Sequence, residues 1–390
     1  MIHTLSLSTY LAVKEIWRNR GRFLLVSLVI ALITLLVLFI AALGEGLGNG
    51  NREYLSKLDG QLIVYQENSD FLIQASRLSA DRVDEVRNVA GVADAGMVGA
   101  SSATLILDSQ GGQLKVALLG VEPGHVGEPA VVDGLPLSGD NVDEVIIDRN
   151  TAIRSDLAVG DLLTLRVTQG TGDVFFDLTI VGISDGQQFS LQPSIFVPFL
   201  TWDRIRPQSA AELNFSDATA NIIVVSLVDP QAADQMKQAV TDQVSTVEVA
   251  TISEAIAALP GYTAQQSTLN TQGGFTLFIG ILVIGGFFQI QILQKVSQIG
   301  VLKAIGTSNS VVAMASIIQI IVITIIGVVI GASFTFMLSL FFPPTVPIVF
   351  NGTTSAIALI ALILIGPLGG MVSIRYAVQI EPLKALGLNS

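Results

Sequence analysis

The sequence lacks cysteine altogether, and histidine occurs at two of its 390 positions, His3 and His125. A disulfide framework and a thiolate metal site are therefore excluded, and two histidines are too few for a multi-histidine metal centre. The dipeptide Gly-Lys is also missing, so the chain carries no Walker A phosphate loop. These absences exclude disulfides, thiolate and multi-histidine metal sites, and the Walker A mode of nucleotide binding.

Charged residues are scarce: they make up 13% of the chain, against about 25% in typical globular domains. Hydrophobic residues make up 51%, and the mean hydropathy is +0.64. Phe23–Leu43 is uncharged over 21 residues, which is about 31 Å as a helix and enough to cross a bilayer core. This and three further apolar runs predict transmembrane helices at residues 23–43, 275–293, 311–340 and 355–374.

The charged residues are unevenly distributed along the chain. Residues 1–22, 294–310 and 375–390 hold eight basic and two acidic residues, whereas 44–274 holds the other 12 basic and 30 acidic residues. The positive-inside rule therefore predicts that the three basic segments and both termini are cytoplasmic, and that 44–274 and the short loop 341–354 lie outside. A cleaved signal peptide is the alternative for the first run, but Ala41-Ala42-Leu43 is a poor cleavage site.

Two stretches flank the first span. Leu7–Phe23 mixes apolar and basic residues, which is typical of an amphipathic helix at the inner membrane surface. A mere orientation signal is the alternative for this stretch. Gly44–Asn51, GEGLGNGN, fits neither the GxGxxG nor the P-loop pattern. We interpret it as a flexible exit from the membrane.

The acidic segment 44–274 reads as mixed α and β structure. A helix is predicted at Ser79–Val89, capped by Ser79 and with acids in its first turn. A hairpin is predicted around the turn 109–112. Further strands are predicted at 61–65, 145–148, 162–167, 175–183, 222–228 and 247–251, with a helix near 231–244. The β-rich middle between two βα-like ends predicts two subdomains, with one at about 115–215 inserted into the other.

Two patterns in this segment resemble reactive sites. Gly182-Ile183-Ser184-Asp185-Gly186 matches the nucleophile-elbow pattern GxSxG, but the helix that an elbow requires does not follow in the sequence. A strand-ending turn is the favoured interpretation, and a hydrolase the alternative. Asp140, Asp143 and Glu144 could bind calcium, although EF-hand spacing is missing, and a solvated acidic loop is favoured. The acidic balance argues against nucleic-acid binding.

Small residues recur at helical spacing in the last two apolar runs. Gly327 and Gly331 form one GxxxG motif, and Gly366 and Gly370 form another. Such motifs allow close contacts between membrane helices, within one chain or across a dimer. Chance occurrence in glycine-rich spans is the alternative.

The segment Gln291–Gly306, QILQKVSQIGVLKAIG, lies between the second and third apolar runs. Val296, Ile299, Leu302 and Ile305 recur at helical spacing and predict one apolar stripe on a short amphipathic helix. Gly306 is a candidate C-cap, and Lys303 falls in the last turn, where a cation suits the helix dipole. So small a helix buries too little surface to be stable alone, and we expect it to have a partner.

The same segment resembles a known family. Ser297–Gly306, SQIGVLKAIG, is similar to the loop motif Arg-Glu-Ile-Gly-x-x-Lys-Ala-Ile/Leu-Gly of FtsX-like permeases, the membrane subunits of MacB-type ABC transporters. Further motifs of that family are resembled, in the same order, by Leu11–Leu25, Val121–Gly124, Gly160-Asp161 with Thr179–Gly182 and Ser194–Pro198, and Ile380–Leu386. The resemblance covers nearly the whole chain and rests on the order and spacing of these motifs around four spans.

The resemblance implies a fold and a set of partners. The fold is four transmembrane helices plus a large extracytoplasmic α+β domain, in a bacterial inner or plasma membrane. The partners are a separate ABC ATPase that binds ATP and Mg²⁺, a second permease copy or a paralogue, a periplasmic adaptor or lipoprotein, and membrane lipid. No cofactor is expected in the chain itself. The family's ATPase-coupling motif corresponds here to Val296, Ile299, Gly300, Leu302, Lys303, Ala304, Ile305 and Gly306.

One position departs from the family motif, because Gln298 stands where the family has an acid. A salt bridge to the ATPase is therefore not expected there, and apolar packing and Lys303 are expected to carry the contact. The resemblance implies a permease subunit, without enzymatic activity of its own, that transmits ATPase movement to the outer domain for export or extraction. The alternative is a regulatory scaffold that transmits the same strokes to a cell-wall hydrolase. A membrane-anchored enzyme is a third possibility.

Overall fold

The computed structural model describes residues 2–107, 112–209, 218–342 and 346–380, with the backbone alone for residues 2–7. The predicted turn 109–112 thus lies largely outside the described residues, as do part of the outer loop 341–354 and the tail beyond residue 380. The chain forms two compact units. We call residues up to 46 together with those from 266 onward the helical unit, and residues 47–265 the α+β unit.

Eleven α-helices occur in the described part of the chain. In order they are α1 (Ile2–Arg18), α2 (Arg20–Ser56), α3 (Asp81–Arg87), α4 (Arg149–Ser155), α5 (Phe199–Ile205), α6 (Ala233–Gln243), α7 (Ile252–Ala258), α8 (Tyr262–Gln294), α9 (Val296–Ala304), α10 (Asn309–Ser339) and α11 (Gly352–Gln379).

Twelve strands occur in the same residues. They are β1 (Leu62–Gln66), β2 (Leu78–Ser79), β3 (Val92–Leu107), β4 (Gly112–Val121), β5 (Val131–Gly134), β6 (Glu144–Asp148), β7 (Leu162–Gln169), β8 (Gly172–Ser184), β9 (Ser194–Pro198), β10 (Thr219–Ala220), β11 (Ile222–Leu227) and β12 (Val247–Thr251).

Four helices, α2, α8, α10 and α11, are long and apolar enough to cross a membrane. Each coincides with one predicted span and extends beyond it, apart from residue 340 of the third span, which follows the end of α10. Within the helical unit they share a core of aliphatic and phenylalanine side chains, among them Phe23, Ile30, Ile284, Ile323 and Ile365. The prediction of four membrane helices plus a mixed α+β part is confirmed.

The prediction of a flexible exit at Gly44–Asn51 is wrong, because these residues continue α2 without a break. The glycines reflect close packing. A Cβ on Gly46 would lie 1.8 Å from the carbonyl oxygen of Pro347, and one on Gly44 would lie 3.0 Å from the Leu269 side chain.

The α+β unit is built on a ten-stranded mixed sheet with the order β12-β1-β11-β3-β4-β9-β6-β8-β5. The remaining strand, β7, pairs with both β3 and β8. The pairs β3–β4, β4–β9, β9–β6, β6–β8, β8–β7 and β7–β3 therefore close a six-stranded barrel. Its interior is filled by aliphatic side chains such as Leu105, Leu118, Ile147, Leu165 and Ile195.

The open part of the sheet, β12-β1-β11-β3, has helices on both faces. On one face, Val83 and Val86 of α3 and Val240 of α6 pack against the strands. On the other, Tyr54 and Leu55 at the end of α2 join Ala255 of α7. Because both faces are covered, strands β1 and β11 are almost uniformly apolar, as their sequences LIVYQ and IIVVSL show.

Two details of this unit differ from the sequence-based expectation or qualify it. Ser79 does not cap α3, because it is paired with Thr219 in the short β2–β10 ladder; the N-cap is Ala80, without a side-chain hydrogen bond. The expected boundary near residue 115 falls inside β4, and β3 runs from the open sheet into the barrel. The division into two subdomains stays a prediction.

Candidate coupling site

Helix α9 is defined by a break before it and a glycine after it. Lys295, between α8 and α9, has φ −107° and ψ 4° and separates the two helices. At the other end Gly306 has φ +100°, a conformation that suits glycine. Its N–H donates to Lys303 O (3.0 Å) and that of Thr307 to Leu302 O (3.1 Å), which is the Schellman pattern. Gly306 thus ends the helix from the position after the C-cap, Ile305.

One face of α9 packs against the chain itself. Ile299 is 8% exposed and forms a cluster with Ile292, Val312 and Ala377, against which Val296 is partly buried. Gly300 is buried as well. These residues hold α9 to the helical unit and leave little of their surface for a partner.

The opposite face of α9 is apolar and exposed. Val301 is 41% exposed, Leu302 36% and Ile305 78%, and Ala304 and Gln298 are also exposed. The expectation of one apolar stripe through Val296, Ile299, Leu302 and Ile305 is therefore wrong. The helix has two apolar faces, and the inner one takes up Val296 and Ile299.

Lys303 is engaged within the chain. Its Nζ donates to the carbonyl oxygens of Val378 (2.6 Å) and Ile380 (2.9 Å), at the C-terminal end of α11. The last carbonyls of a helix lack intrahelical partners, and a cation there also suits the helix dipole. Lys303 thus caps the end of α11 and ties α9 to it. Its expected place in the contact with an ATPase stays a prediction.

A polar cluster fixes the junction between α8 and α9. The Lys295 ammonium pairs with the Glu15 carboxylate of α1 and lies 5.4 Å from the ring centroid of Phe23 in α2. Gln319 of α10 donates to the other carboxylate oxygen of Glu15 at 2.6 Å. Arg22 also donates to Gln294 at 2.8 Å. Three helices are thereby joined to the start of α9.

Sequence reasoning missed this cluster. Glu15 is the sole acid in the basic segment 1–22, and Gln319 is a polar residue inside an apolar run. Both features are signals of a polar partner within the fold, because buried polar groups are nearly always hydrogen-bonded.

The four glycines predicted as packing residues lie against neighbouring helices of the same chain. A Cβ on Gly327 would lie 2.8 Å from Ser27 O, and one on Gly331 would lie 2.5 Å from Ala31 O, both in α2. Cβ atoms on Gly366 and Gly370 would meet the Thr324 hydroxyl and the Ile320 side chain of α10, at 2.1 and 2.3 Å.

A third close contact was not predicted. A Cβ on Gly285 would lie 2.7 Å from the carbonyl oxygen of Gly369, so α8 and α11 also approach backbone to backbone. Neither glycine belongs to a GxxxG motif that the sequence singled out. Each of them is followed by a second glycine, Gly286 and Gly370. These Gly-Gly pairs are the sequence signal from which the contact could have been predicted.

Comparison with known proteins supports this architecture. The family model of the MacB-like periplasmic core domain matches residues 23–243, and that of the FtsX-like permease C-terminal region matches residues 271–382. The chain is an FtsX-like permease with a MacB-like periplasmic core domain. It is thus an integral membrane subunit of the ABC transporter permease class, whose members are not enzymes themselves and work with an ATPase.

Relatives of this permease match over nearly the full length. It is 25% identical over 377 residues to a protein of Staphylococcus haemolyticus named as a hemin transport system permease protein, HrtB, covering 97% of this chain and 99% of that one. It is 26% identical over 380 residues to an HrtB of Staphylococcus epidermidis, with the same coverage. A macrolide export ATP-binding/permease protein, MacB, of Rhodopseudomonas palustris is 30% identical over 135 residues, which are 31% of this chain and 21% of that one.

Solved structures give weaker matches. The extracellular domain of the ABC-type transporter YknZ from Gram-positive bacteria aligns with a TM-score of 0.36 and 12% identity, covering 49% of this chain and 99% of that domain. The periplasmic region of MacB from Actinobacillus actinomycetemcomitans aligns with a TM-score of 0.35 and 13% identity, covering 56% and 97%.

In this permease, the segment that matches a nucleophile elbow has a different setting. Ser184 is buried at the end of β8, and no helix directly follows it. Instead the next residues form hydrogen bonds with the end of α2 and with Lys57, which follows it. Lys57 Nζ donates to Asp185 O (2.8 Å) and Gly186 O (2.5 Å), and Gln188 N–H donates to Glu53 Oε2 (3.2 Å). The pattern thus marks a strand end and a docking loop.

The acidic cluster has protein partners. Asp143 pairs with Arg204, and Glu144 accepts hydrogen bonds from the N–H and hydroxyl of Ser138 at 2.8 and 2.7 Å. Among the described residues, no group of three His, Cys, Asp or Glu side chains is arranged to hold a metal ion.

His125, one of the two histidines of the sequence, forms a polar pair with Asp94. Its Nδ1 lies 2.9 Å from Asp94 Oδ1, and Asp94 Oδ2 accepts the Val126 N–H at 2.8 Å. Burial by itself would raise the pKa of Asp94, but these hydrogen bonds outweigh it and hold the pKa below its usual value. The pair fastens the turn Pro123–His125 to β3.

Proposed function

We propose that this permease transmits the strokes of a separate ATPase through α9 to the α+β unit and thereby exports or extracts a substrate. The observation that carries the proposal is the exposed apolar face of Val301, Leu302 and Ile305. Exposed apolar residues next to a well-anchored core are typical of a protein interface. The missing Walker A motif means that nucleotide must be bound by the partner.

The anchoring of α9 supports a mechanical role. Lys303 ties it to α11, and the cluster of Lys295, Glu15 and Gln319 ties it to α1 and α10. A push on the exposed face would therefore be shared by several helices of the bundle. We further propose that both termini and α9 are cytoplasmic, that the α+β unit is extracytoplasmic, and that two copies pair.

For the substrate we propose a haemin-like amphiphile, because the relatives that match over the full length are named as hemin transport permeases. The competing function is a regulatory scaffold that acts on a cell-wall hydrolase. In that case the resistance of cells to haemin would not depend on the permease. Export and extraction would both remove this compound from the membrane.

The proposal is tested with the double variant Leu302→Asp, Ile305→Asp. Both side chains are exposed, so we expect the protein to fold and to reach the membrane, while co-purification of the ATPase falls at least about tenfold, because charges replace apolar contacts. In cells, resistance to haemin is expected to fall with it. The matched control is Ile153→Asp with Leu200→Asp, two exposed apolar positions on α4 and α5 of the α+β unit, at 64% and 48%.

Ile299→Asp is unsuitable as a test, since a charge at this buried position would unfold the cluster around it. If the double variant still co-purifies with the ATPase at the normal level, α9 is not the coupling element. If coupling is lost but haemin resistance is the same with and without the permease, the substrate proposal is wrong.

A further inference from the structure

A cavity of about 270 Å³ lies where α1, the α8–α9 junction and α10 meet. Its apolar lining includes Leu11, Ile299 and Val312, while Lys14 and Arg18 contribute positive charge. The volume is several times that of a water molecule and matches a small headgroup. This cavity has one apolar part and one basic part.

The basic residues that line the cavity differ in whether a carboxylate neutralises their charge. Lys295 is paired with Glu15, as described above. Lys14 donates to the Tyr10 hydroxyl at 3.2 Å, which leaves its charge in place. Within the described residues, neither Lys14 nor Arg18 has a carboxylate partner. They are one helical turn apart on α1 and exposed, so two unbalanced positive charges share one side of the cavity.

The outward face of α1 shows what surrounds these two charges. Tyr10, Val13 and Trp17 are 58%, 54% and 77% exposed and follow each other at helical spacing. Tyrosine and tryptophan are enriched where membrane meets water, and basic residues beside them lie at headgroup depth. A free phosphate would need the charges but would have no use for the apolar lining or for this aromatic face.

We propose that the cavity binds the headgroup of an anionic phospholipid. Lys14 and Arg18 hold the phosphodiester, and the glycerol end lies against Leu11 and Val312. Since Ile299 also lines the cavity, the bound lipid touches the inner face of α9. Leu302 of the exposed face of α9 lines the cavity as well, so the site adjoins the proposed ATPase contact. Lipid binding itself needs no other protein and can be measured without the ATPase.

The test uses the full-length permease, purified without ATPase, and measures binding of phosphatidylglycerol and of phosphatidylcholine in mixed micelles. Lys14→Gln with Arg18→Gln is expected to weaken phosphatidylglycerol binding at least about tenfold, because each basic residue near an anionic surface contributes of the order of 1 kcal/mol. The matched control, Arg20→Gln with Arg375→Gln, removes two exposed charges that do not line the cavity and should stay within about twofold.

A second variant separates the cavity from surface charge. Ser316→Leu fills the cavity from α10 while all charges remain, and we expect the preference for phosphatidylglycerol over phosphatidylcholine to disappear. Both variants are checked for thermal unfolding, which should match the parent protein.

Several outcomes would overturn the proposal. The proposal is wrong if the test and control pairs lose phosphatidylglycerol binding equally, or if Ser316→Leu binds this lipid as the parent protein does. It is also wrong if the parent protein binds the two lipids equally well. Displacement of phosphatidylglycerol by millimolar glycerol phosphate would assign the site to a soluble phosphate. Intact lipid binding by the Lys14→Gln, Arg18→Gln variant, with loss of ATPase co-purification, would assign the cavity to the partner protein.

Discussion

The two units of this permease differ in what supplies most of their packing. In the helical unit, Gly327, Gly331 and Gly285 let helix backbones approach to distances that no side chain would allow. In the α+β unit glycines also allow close approaches, as Gly96 does to Val126 O, but the bulk of the packing comes from large β-branched and aliphatic residues in the sheet. The difference follows from the solvent. In water, burial of apolar area drives association, whereas in lipid the tails are as apolar as the side chains, and tight contact has to supply the energy.

The units also use their charges differently. In the helical unit, Glu15 and Lys295 meet at one end of the helices and Lys303 binds backbone carbonyls. In the α+β unit, ion pairs such as Lys237–Glu254 lie on the surface, with side chains 31% and 44% exposed. The comparison sets Lys303, whose hydrogen bonds join two helices, against Lys237, whose ion pair lies on a folded surface.

The largest expected effect comes from filling a glycine contact in the helical unit. Gly331→Leu would place a side chain where a Cβ alone already lies 2.5 Å from Ala31 O, so α2 and α10 would have to separate, at a cost of about 3 kcal/mol or more. We expect little monodisperse protein after detergent extraction, measured by size-exclusion chromatography.

The control for this substitution is Gly286→Leu on α8, because no described atom lies within 4 Å of a Cβ there. This variant should behave as the parent protein does. Equal yields of the two leucine variants would show that the α2–α10 contact is looser than the structure has it.

An intermediate effect is expected from the two lysines that the comparison sets apart. Lys303→Met removes both donors from Val378 O and Ile380 O and should destabilise the protein by about 1–3 kcal/mol. Lys237→Met removes an exposed pair and should cost less than about 1 kcal/mol. Thermal unfolding in detergent measures both. A larger loss for Lys237→Met would reverse the assignment of roles.

The smallest effect concerns pH. The pKa of Asp94 is lowered in the folded protein, so its stabilising contribution is present above the usual carboxyl pKa, near 4, and is lost as the pH falls through the lowered value. Asp94→Asn should therefore unfold at a lower temperature than the parent at pH 6, and the gap should narrow towards pH 3. A gap that widens on acidification would contradict this sign.

Sequence reasoning predicted the features that depend on local composition. The uncharged run Phe23–Leu43 marks the first span because length and charge alone decide whether a helix can cross a bilayer. The end of α9 could be predicted for a similar reason, since Gly306 ends a run of apolar helical positions. The GxxxG positions could be proposed from spacing, although spacing did not say which helix each would meet.

The remaining features depend on partners distant in the chain. Lys303 donates to carbonyl oxygens 75 and 77 residues away. The sequence around it does not distinguish it from a lysine that binds a partner protein. The exposed face of α9 could not be told from the buried one, because Val296 and Leu302 are alike in sequence. Glycines at 44–51 favour a loop by propensity, and the approach of Pro347, distant in the chain, explains why a glycine stands at position 46 of this helix.

The closed barrel of the α+β unit has a consequence for aggregation. A strand at the edge of a sheet offers unpaired N–H and C=O groups to any neighbouring chain, and closure removes such edges. Among the described strands of the main sheet, β12 and β5 stay at its margins, five and four residues long and carrying Glu248 and Asp133. Short, charged margins discourage strand addition, so this unit is protected against aggregation with other copies of itself during synthesis.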